Sequence, residues 1–298
     1  MNMFEVLDIG VMATFQDMGR FGYDDIGVCN TGASDELSFF LANRLLNNPQ
    51  NSVAIELTIG ALKLKVLQST RVCIAGADTR AKLNGQLLRN WSAFRVKKDD
   101  ILEFGYAIKG QLTYIAVEGG FEVKKILGSS SASRYIGSPI KKGDILNAPL
   151  SKNRQKAFYS PKIIPILGYK ELELRFVKGY QHKWFDIKKF TTSKFKVSNR
   201  YNKMGYQLIG DKIIPKYDTL ISEAIAFGAV QITSAGQPIV LLKDRQTIGG
   251  YPKIGSILPM DCFKLSQCGA NTKITFKEIS LKKAIKFTKN FYNKLKGI

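Results

Sequence analysis

Residues 62–88 read LKLKVLQSTRVCIAGADTRAKLNGQLL and carry clear strand and turn signals. Leu62–Leu67 alternates apolar and polar side chains, which is the period of a strand with one buried face. Asn84 and Gly85 lie between two apolar arms, and both residue types accept the positive φ angles of a tight hairpin turn. The segment therefore predicts short strands joined by tight turns.

The same pattern recurs along the chain. Further strand-like runs are predicted at 71–75, 101–104, 112–117, 172–177, 195–198, 229–232, 238–242 and 274–279. The regular helical crossovers that a parallel sheet needs do not separate them. We therefore predict a mainly β protein of barrels or sandwiches with a few helices.

Three segments carry helix signals. Ser34 or Asp35 can cap a helix over about 35–46, and a shorter helix is expected over about 181–190. The C-terminal sequence ISLKKAIKFTKNFYNKLKGI has apolar residues at helical spacing, with its lysines mostly off that face. We expect an amphipathic helix docked on the body of the protein; binding to a membrane surface or an acidic partner is the alternative.

The chain has 298 residues, which suits one large or two medium domains. Residues 149–168 contain three prolines and a basic, weakly patterned middle, which is typical of a linker. The expected organisation is a first domain over 1–150, a linker over 151–168 and a second domain over 169–298.

The net charge of +21 indicates little about partners. Lysines far outnumber arginines and are spread over the whole chain, whereas proteins that read nucleic acid favour arginine. No run approaches the roughly 20 apolar residues that span a bilayer, and the N-terminus lacks the pattern of a secretory signal. We expect no nucleic-acid partner, no membrane association and a cytoplasmic location.

Metal and imidazole chemistry have few candidate residues. The four cysteines, Cys29, Cys73, Cys262 and Cys268, form no C-x-x-C pair and are expected to be free thiols. His182 is the single histidine, so a zinc site is not expected. Any catalysis by this chain would therefore have to use carboxylates, lysines, arginines and backbone hydrogen-bond donors.

Two regions of the first half place polar side chains outside any amphipathic pattern. Residues 14–36 read TFQDMGRFGYDDIGVCNTGASDE, a glycine-rich stretch whose first part holds three candidates: Gln16, Asp17 and Arg20. Glu56 lies among apolar residues, and Asp78 follows a Gly-Ala step at the end of a strand. Each carboxylate could act as an acid or base, or could accept backbone hydrogen bonds at a turn or strand end.

Residues 222–257 hold the densest group of unlike polar side chains. Gln237 precedes the strand expected at 238–242, and a Gly-Gly loop follows it. The polar and loop residues after the strand are Lys243, Asp244, Arg245, Gln246, Thr247, Gly249, Gly250, Tyr251 and Lys253. Such a set could bind a carboxylate, phosphate or ureido group. The alternative interpretation is that these residues form only a charged hairpin tip, with Gly-Gly as its turn. No Walker A sequence is present.

Several of these stretches together resemble one known family. They are TFQDMGRFGY, GVCNTGASD, IELTIG, YIAVEGGF, ILGSSS and SEAIAFGAVQI with GQPIVLLKDRQTIGGYPKIG. The sequence resembles the carboxyltransferase-domain proteins, also called allophanate hydrolase subunit 2 proteins, from about Gly10 to about Phe276. Ser130 departs from the pattern, because it occupies the place of an arginine.

The resemblance implies two cyclophilin-like β-barrel domains and an enzymatic role. Members include one subunit of ATP-dependent 5-oxoprolinases, hydrolases that open 5-oxoproline to L-glutamate with an A-like and a B-like partner subunit. The resemblance thus implies a hetero-oligomer and ATP, bound by this chain or jointly with the B-like partner. One alternative is a carboxyltransferase acting on urea or a similar amide, with biotin on a separate carrier. Another is a regulatory protein that sequesters its partner subunit.

Roles for the candidate residues follow from the chemistry of that family. Lys243, Arg245 and Lys253, with the amides of Gly249 and Gly250, would supply a positive field. The base would come from one of four carboxylates: Asp17, Glu56, Asp78 or Asp244. The remaining candidates would bind and orient the substrate: Gln16, Arg20, Gln237, Gln246, Thr247 and Tyr251.

Overall fold

A computed structural model describes residues 1–150, 167–217 and 220–297. They form two compact units, one of residues 1–20 with 31–167 and one of residues 21–30 with 168–298. Most of the predicted linker, residues 151–166, lies outside the described residues. The expected boundary therefore stays a prediction.

The first unit is built from short antiparallel strands and one helix. Its elements are β1 (Asn2–Ile9), β2 (Met12–Gln16), α1 (Glu36–Arg44), β3 (Ala54–Thr58), β4 (Gly60–Val66), β5 (Thr70–Asp78), β6 (Lys82–Leu83), β7 (Gln86–Leu87), β8 (Ser92–Val96), β9 (Ile101–Tyr106), β10 (Lys109–Val117) and β11 (Ile145–Asn147). One sheet has the order β11-β1-β4-β9-β6-β7, and the other has the order β2-β3-β10-β5-β8.

The two sheets share a core, and α1 covers the second sheet from the other side. Leu64 from β4 and Val72 from β5 belong to the shared core. Phe39 of α1 packs with Ala75 and Tyr114 on the opposite face of the second sheet. Because this sheet is covered on both faces, β5 is buried at every residue except the last, whereas β4 alternates as its sequence predicts.

The second unit contains a closed barrel. Its elements are β12 (Glu171–Lys178), α2 (Ile187–Thr192), β13 (Phe195–Tyr201), β14 (Gly205–Gly210), β15 (Glu223–Ala224), β16 (Ala229–Ile232), β17 (Pro238–Leu241), β18 (Ile248–Gly249), β19 (Lys253–Ile257), α3 (Pro259–Ser266), β20 (Lys273–Glu278) and α4 (Leu281–Gly297). Seven strands close in the order β12-β19-β16-β17-β14-β13-β20, and β15 pairs with β18 outside them. The prediction of a mainly β protein is confirmed.

The local turn and cap signals also hold. Asn84 and Gly85 have φ angles of 49° and 81° and join β6 to β7. Asp35 caps α1, because its carboxylate accepts a hydrogen bond from the amide of Ser38 at 3.2 Å. At the C-terminus, α4 buries Ala284 and keeps the lysines of its first three turns exposed, as an amphipathic helix should.

Two helical regions differ from the expectation. The helix expected over about 181–190 is instead a 3-10 turn, Tyr180–Trp184, followed by α2. The break occurs because the Asp186 side chain accepts from the amide of Lys189 at 2.8 Å and starts a new helix there. The helix α3, which begins at Pro259, was not predicted from the sequence. Among the described residues, no helix is both long enough and apolar enough to cross a membrane.

Candidate functional site

In the first unit, Asp17 follows β2 and is almost fully buried. Its carboxylate accepts hydrogen bonds from the hydroxyls of Ser129 (2.5 Å) and Ser131 (2.6 Å), and from the amides of Ser130 and Gly19 (both 2.8 Å). Burial acts to raise the pKa of Asp17, but these hydrogen bonds outweigh it and hold the pKa below its ordinary value. Asp17 therefore fixes the loop over residues 128–131, which we call the serine loop.

Gln16 and Arg20 meet the residues at the end of the serine loop. The Gln16 amide nitrogen donates to the carbonyl oxygen of Ala132 at 2.8 Å, and the Arg20 guanidinium donates to that of Ser131 at 2.5 Å. Arg20 and Ser130 also line a cavity of about 50 Å³. The structure thus brings Gln16, Asp17 and Arg20 together. The serines were missed as site residues, although they belong to the ILGSSS motif.

Glu56 and Asp78 hold local structure elsewhere in this unit. Glu56 accepts from the amide of Ser34 at 2.7 Å and from the hydroxyl of Tyr114 at 2.6 Å, which fixes the chain entering α1. Burial, together with the negative charge of Glu56, raises the pKa of Tyr114 well above its ordinary value. Asp78 accepts from the amide of Arg80 at 3.0 Å in the turn after β5.

In the second unit, Arg245 and Lys253 converge on two consecutive carbonyl groups. The Arg245 Nε donates to the carbonyl oxygen of Ile225 at 2.9 Å, and the Lys253 Nζ donates to that of Ala224 at 3.2 Å. Arg245 follows β17 and is 6% exposed, and Lys253 begins β19 with its side chain 13% exposed. The loops at the ends of two barrel strands thus bring two cations to neighbouring residues at the end of β15.

A carboxylate that the sequence analysis missed joins this pair. Glu223 forms an ion pair with Lys253 and accepts hydrogen bonds from the Tyr180 hydroxyl and, at 2.8 Å, from the Gln181 amide. Burial acts to raise the pKa of Glu223, but Lys253 and Tyr180 outweigh it and hold the pKa below its ordinary value. Donation to Glu223 raises the pKa of Tyr180. The sequence signal that could have indicated Glu223 as a site residue is its position at the start of the SEAIAFGAV motif.

The chain segment 21–30, which belongs to the second unit, reaches the same arginine. The Arg245 guanidinium donates to the Asn30 side chain at 3.2 Å and lies 3.6 Å from the Asp24 carboxylate. Burial lowers the pKa of Arg245, and the charge of Asp24 opposes that shift. Part of the glycine-rich segment 14–36, residues 21–30, therefore belongs to the second unit and contacts Arg245 there.

The remaining candidates of the second unit divide between two places. Lys243, Asp244 and Thr247 are buried after β17, and the Lys243 ammonium lies 4.8 Å from the ring centre of Phe227. Near them lie Gln246, Gly249, Gly250 and Tyr251, which belong to the loop around β18. Gln237 precedes β17, at the opposite end of that strand, where it pairs with the backbone of Gly210.

Gly249 of this loop lies close to side chains of the neighbouring strands. A Cβ atom there would lie 2.6 Å from the Ile225 Cδ1 and 3.2 Å from the Gln231 amide nitrogen. Both atoms are the ends of side chains, so a larger residue at position 249 would require Ile225 to shift where β18 pairs with β15.

Comparison with known proteins supports one assignment. Residues 26–278 match the family model "Carboxyltransferase domain, subdomain A and B". The chain is 31% identical to the 5-oxoprolinase subunits C of Haemophilus influenzae and Escherichia coli, over 95% of its own length and 94% of theirs. It is 29% identical to the urea amidolyase of Lachancea kluyveri, covering 93% of this chain but 17% of that protein. The crystal structure of Kluyveromyces lactis urea amidolyase superposes with a TM-score of 0.90 at 26% identity, over 99% of this chain and 20% of that one.

Proposed function

The chain belongs to the carboxyltransferase domain, subdomain A and B, family, and on that premise we propose that it is the C subunit of an ATP-dependent 5-oxoprolinase. Similarity to two 5-oxoprolinase subunits C extends over nearly the whole of both partners. The urea amidolyases, by contrast, are several times longer than the region they share with this chain. The extent of the match therefore favours the 5-oxoprolinase role.

The observation that carries the proposal is the convergence of Arg245 and Lys253 on the end of β15. Opening a lactam places negative charge on its carbonyl oxygen as the ring carbon becomes tetrahedral. Cations held in a mostly buried place stabilise such charge more strongly than they would in water. We assign this role to Arg245 and Lys253, with Lys243 and the amides of Gly249 and Gly250 completing the positive field.

The candidate carboxylates receive different roles. Asp17 holds the serine loop, Glu56 holds the entry to α1, and Asp78 holds a turn, since each accepts backbone amides. Asp244, which is buried and flanked in sequence by two cations, stays our candidate base. The remaining polar candidates stay proposed substrate-binding residues: Gln246, Thr247 and Tyr251 in the second unit, and Gln16 and Arg20 in the first.

ATP and partner subunits belong to the proposal as requirements of the whole complex. We expect ATP to be bound by this chain or jointly with a B-like partner, and we assign no step of the reaction to it. An A-like partner would complete a cytoplasmic hetero-oligomer.

Reconstitution tests the proposal. The purified chain, combined with its A-like and B-like partners, should hydrolyse ATP in a 5-oxoproline-dependent reaction that releases L-glutamate. Omitting this chain, or replacing it with Lys253→Ala, should abolish glutamate release, and Lys253→Ala should lower the chain's free energy of unfolding by no more than about 1 kcal/mol. Full turnover without the chain would overturn the proposal.

A second candidate function is carboxyl transfer to urea or a similar amide. It is favoured by the matches to urea amidolyases and to a putative urea carboxylase, which cover 91–93% of this chain. Biotin would then arrive on a separate carrier protein. Transfer of labelled carboxylate from carboxybiotin to urea, in a mixture that shows no 5-oxoproline-dependent ATP hydrolysis, would select this function.

A further inference from the structure

Glu223 differs in its partners from the three candidate carboxylates of the first unit. Asp17, Glu56 and Asp78 each accept at least one backbone amide, which is what a carboxylate does when it fixes a turn or a helix entry. Glu223 accepts only from side chains within the described part of the chain: those of Tyr180, Gln181 and Lys253. Its contacts therefore organise functional groups and do not cap a backbone segment.

Gln181 aligns the Glu223–Lys253 pair from both sides. Its amide nitrogen donates to Glu223 at 2.8 Å, and its amide oxygen accepts from the backbone amide of Lys253 at 2.6 Å. Gln181 is 2% exposed, so this clamp works away from water. The Lys253 ammonium group itself contacts two oxygens: it forms the ion pair with Glu223, and it donates a hydrogen bond to the carbonyl oxygen of Ala224 at 3.2 Å.

Tyr180 closes the network on its solvent side. It is 71% exposed and lines a groove of about 410 Å³ together with Lys178, His182 and the start of α4. Its hydroxyl donates to Glu223 and accepts from Gln181 at 2.8 Å. Because Tyr180 is exposed and lines the groove, the outer end of the network is open to solutes. A network made only for stability would have little need of an exposed end.

We propose that Glu223 is a positioning residue, which fixes the Lys253 ammonium group for the reaction while Gln181 aligns the pair. The role in the reaction rests on the proposed function, because it assumes that Lys253 acts on substrate. The fixing of Lys253 is a property of this chain alone. The two parts can therefore be tested separately.

The first test follows the reactivity of Lys253 in the purified full chain. Acetylation with limiting reagent at one pH, read by peptide mass spectrometry, should be about tenfold faster at Lys253 in Glu223→Gln, the factor expected for one lost charge-assisted hydrogen bond. Glu223→Asp should restore part of the protection. Glu171→Gln, which removes the exposed ion pair of Glu171 with Lys273, is the matched control and should leave Lys253 unchanged. Equal Lys253 reactivity in wild type and Glu223→Gln would overturn the proposal.

The second test uses the reconstituted complex. Glu223→Gln should lower kcat about 10- to 100-fold with a smaller change in KM, since a misplaced cation weakens the transition state more than substrate binding. Glu171→Gln should keep wild-type kcat. If Glu223→Gln frees Lys253 but kcat is unchanged, the positioning role in the reaction is wrong. If the wild-type complex has no 5-oxoproline-dependent activity, the proposed function fails while the acetylation result still decides the fixing of Lys253.

Discussion

Asp17 and Glu223 are both multiply hydrogen-bonded carboxylates with lowered pKa values, yet they lie in opposite kinds of environment. Asp17 is 1% exposed, and its partners are hydroxyls and backbone amides. The Glu223 side chain is 28% exposed, and its partners include an ammonium group and an exposed phenol. The two carboxylates thus differ in the chemistry of their partners and in their access to solvent, and on that difference the proposed role of Glu223 rests.

The largest expected effect is on stability at Asp17. Asp17→Ala should lower the free energy of unfolding by about 4 kcal/mol, because it leaves buried hydroxyl and amide donors without an acceptor. Glu223→Ala should cost only about 1 kcal/mol, since an ion pair partly open to solvent contributes little. Denaturant titration measures both, and hydrogen exchange of residues 128–131 locates the first. Equal losses for the two variants would remove the distinction between the clusters.

The pH dependence of stability gives the next effect. Asp17 has a folded-state pKa below its ordinary value of 3.8, so its stabilising contribution is complete above that value and is lost as pH falls through the folded-state pKa. Asp17→Asn should be less stable than wild type at neutral pH, and the gap should narrow in acid. Unfolding midpoints measured across the acidic range check this. A gap that stays constant would mean that the charge of Asp17 does not stabilise the fold.

The fold could be predicted from the sequence in large part, whereas the contacts of Asp17 and Glu223 could not. The strands, the Asn84-Gly85 hairpin and the capped helix α1 were predictable because their signals are local. Asp17 and Ser129 are 112 residues apart, so no periodicity could pair them. Glu223 was missed for a related reason: it looks like any acid beside a short strand until Tyr180 and Lys253 are brought to it.

Replacement of single serines should have a moderate effect. Ser129→Ala and Ser131→Ala should each cost about 1 kcal/mol, because each removes one hydroxyl from the Asp17 carboxylate and leaves its other donors in place. The double variant should lose a different amount from the sum, since both hydroxyls donate to the same oxygen, Oδ1, of Asp17. Denaturant titration of a double-mutant cycle measures this coupling. Strict additivity would show that the two serines hold Asp17 independently.

The smallest stability change is expected at Tyr180, which makes it the sharpest test of the comparison. Tyr180→Phe should alter the free energy of unfolding by less than about 0.5 kcal/mol, because Tyr180 is 71% exposed and only one hydroxyl is lost. The pKa of Glu223 should nevertheless rise, since a donor to its charged form is gone. Carboxyl NMR titration of Glu223 in wild type and variant measures the shift, with Glu171→Gln as the control for general effects on charge. A stability loss as large as that of Ser129→Ala would mean that the Glu223 cluster supports the fold in the same way as the Asp17 cluster does.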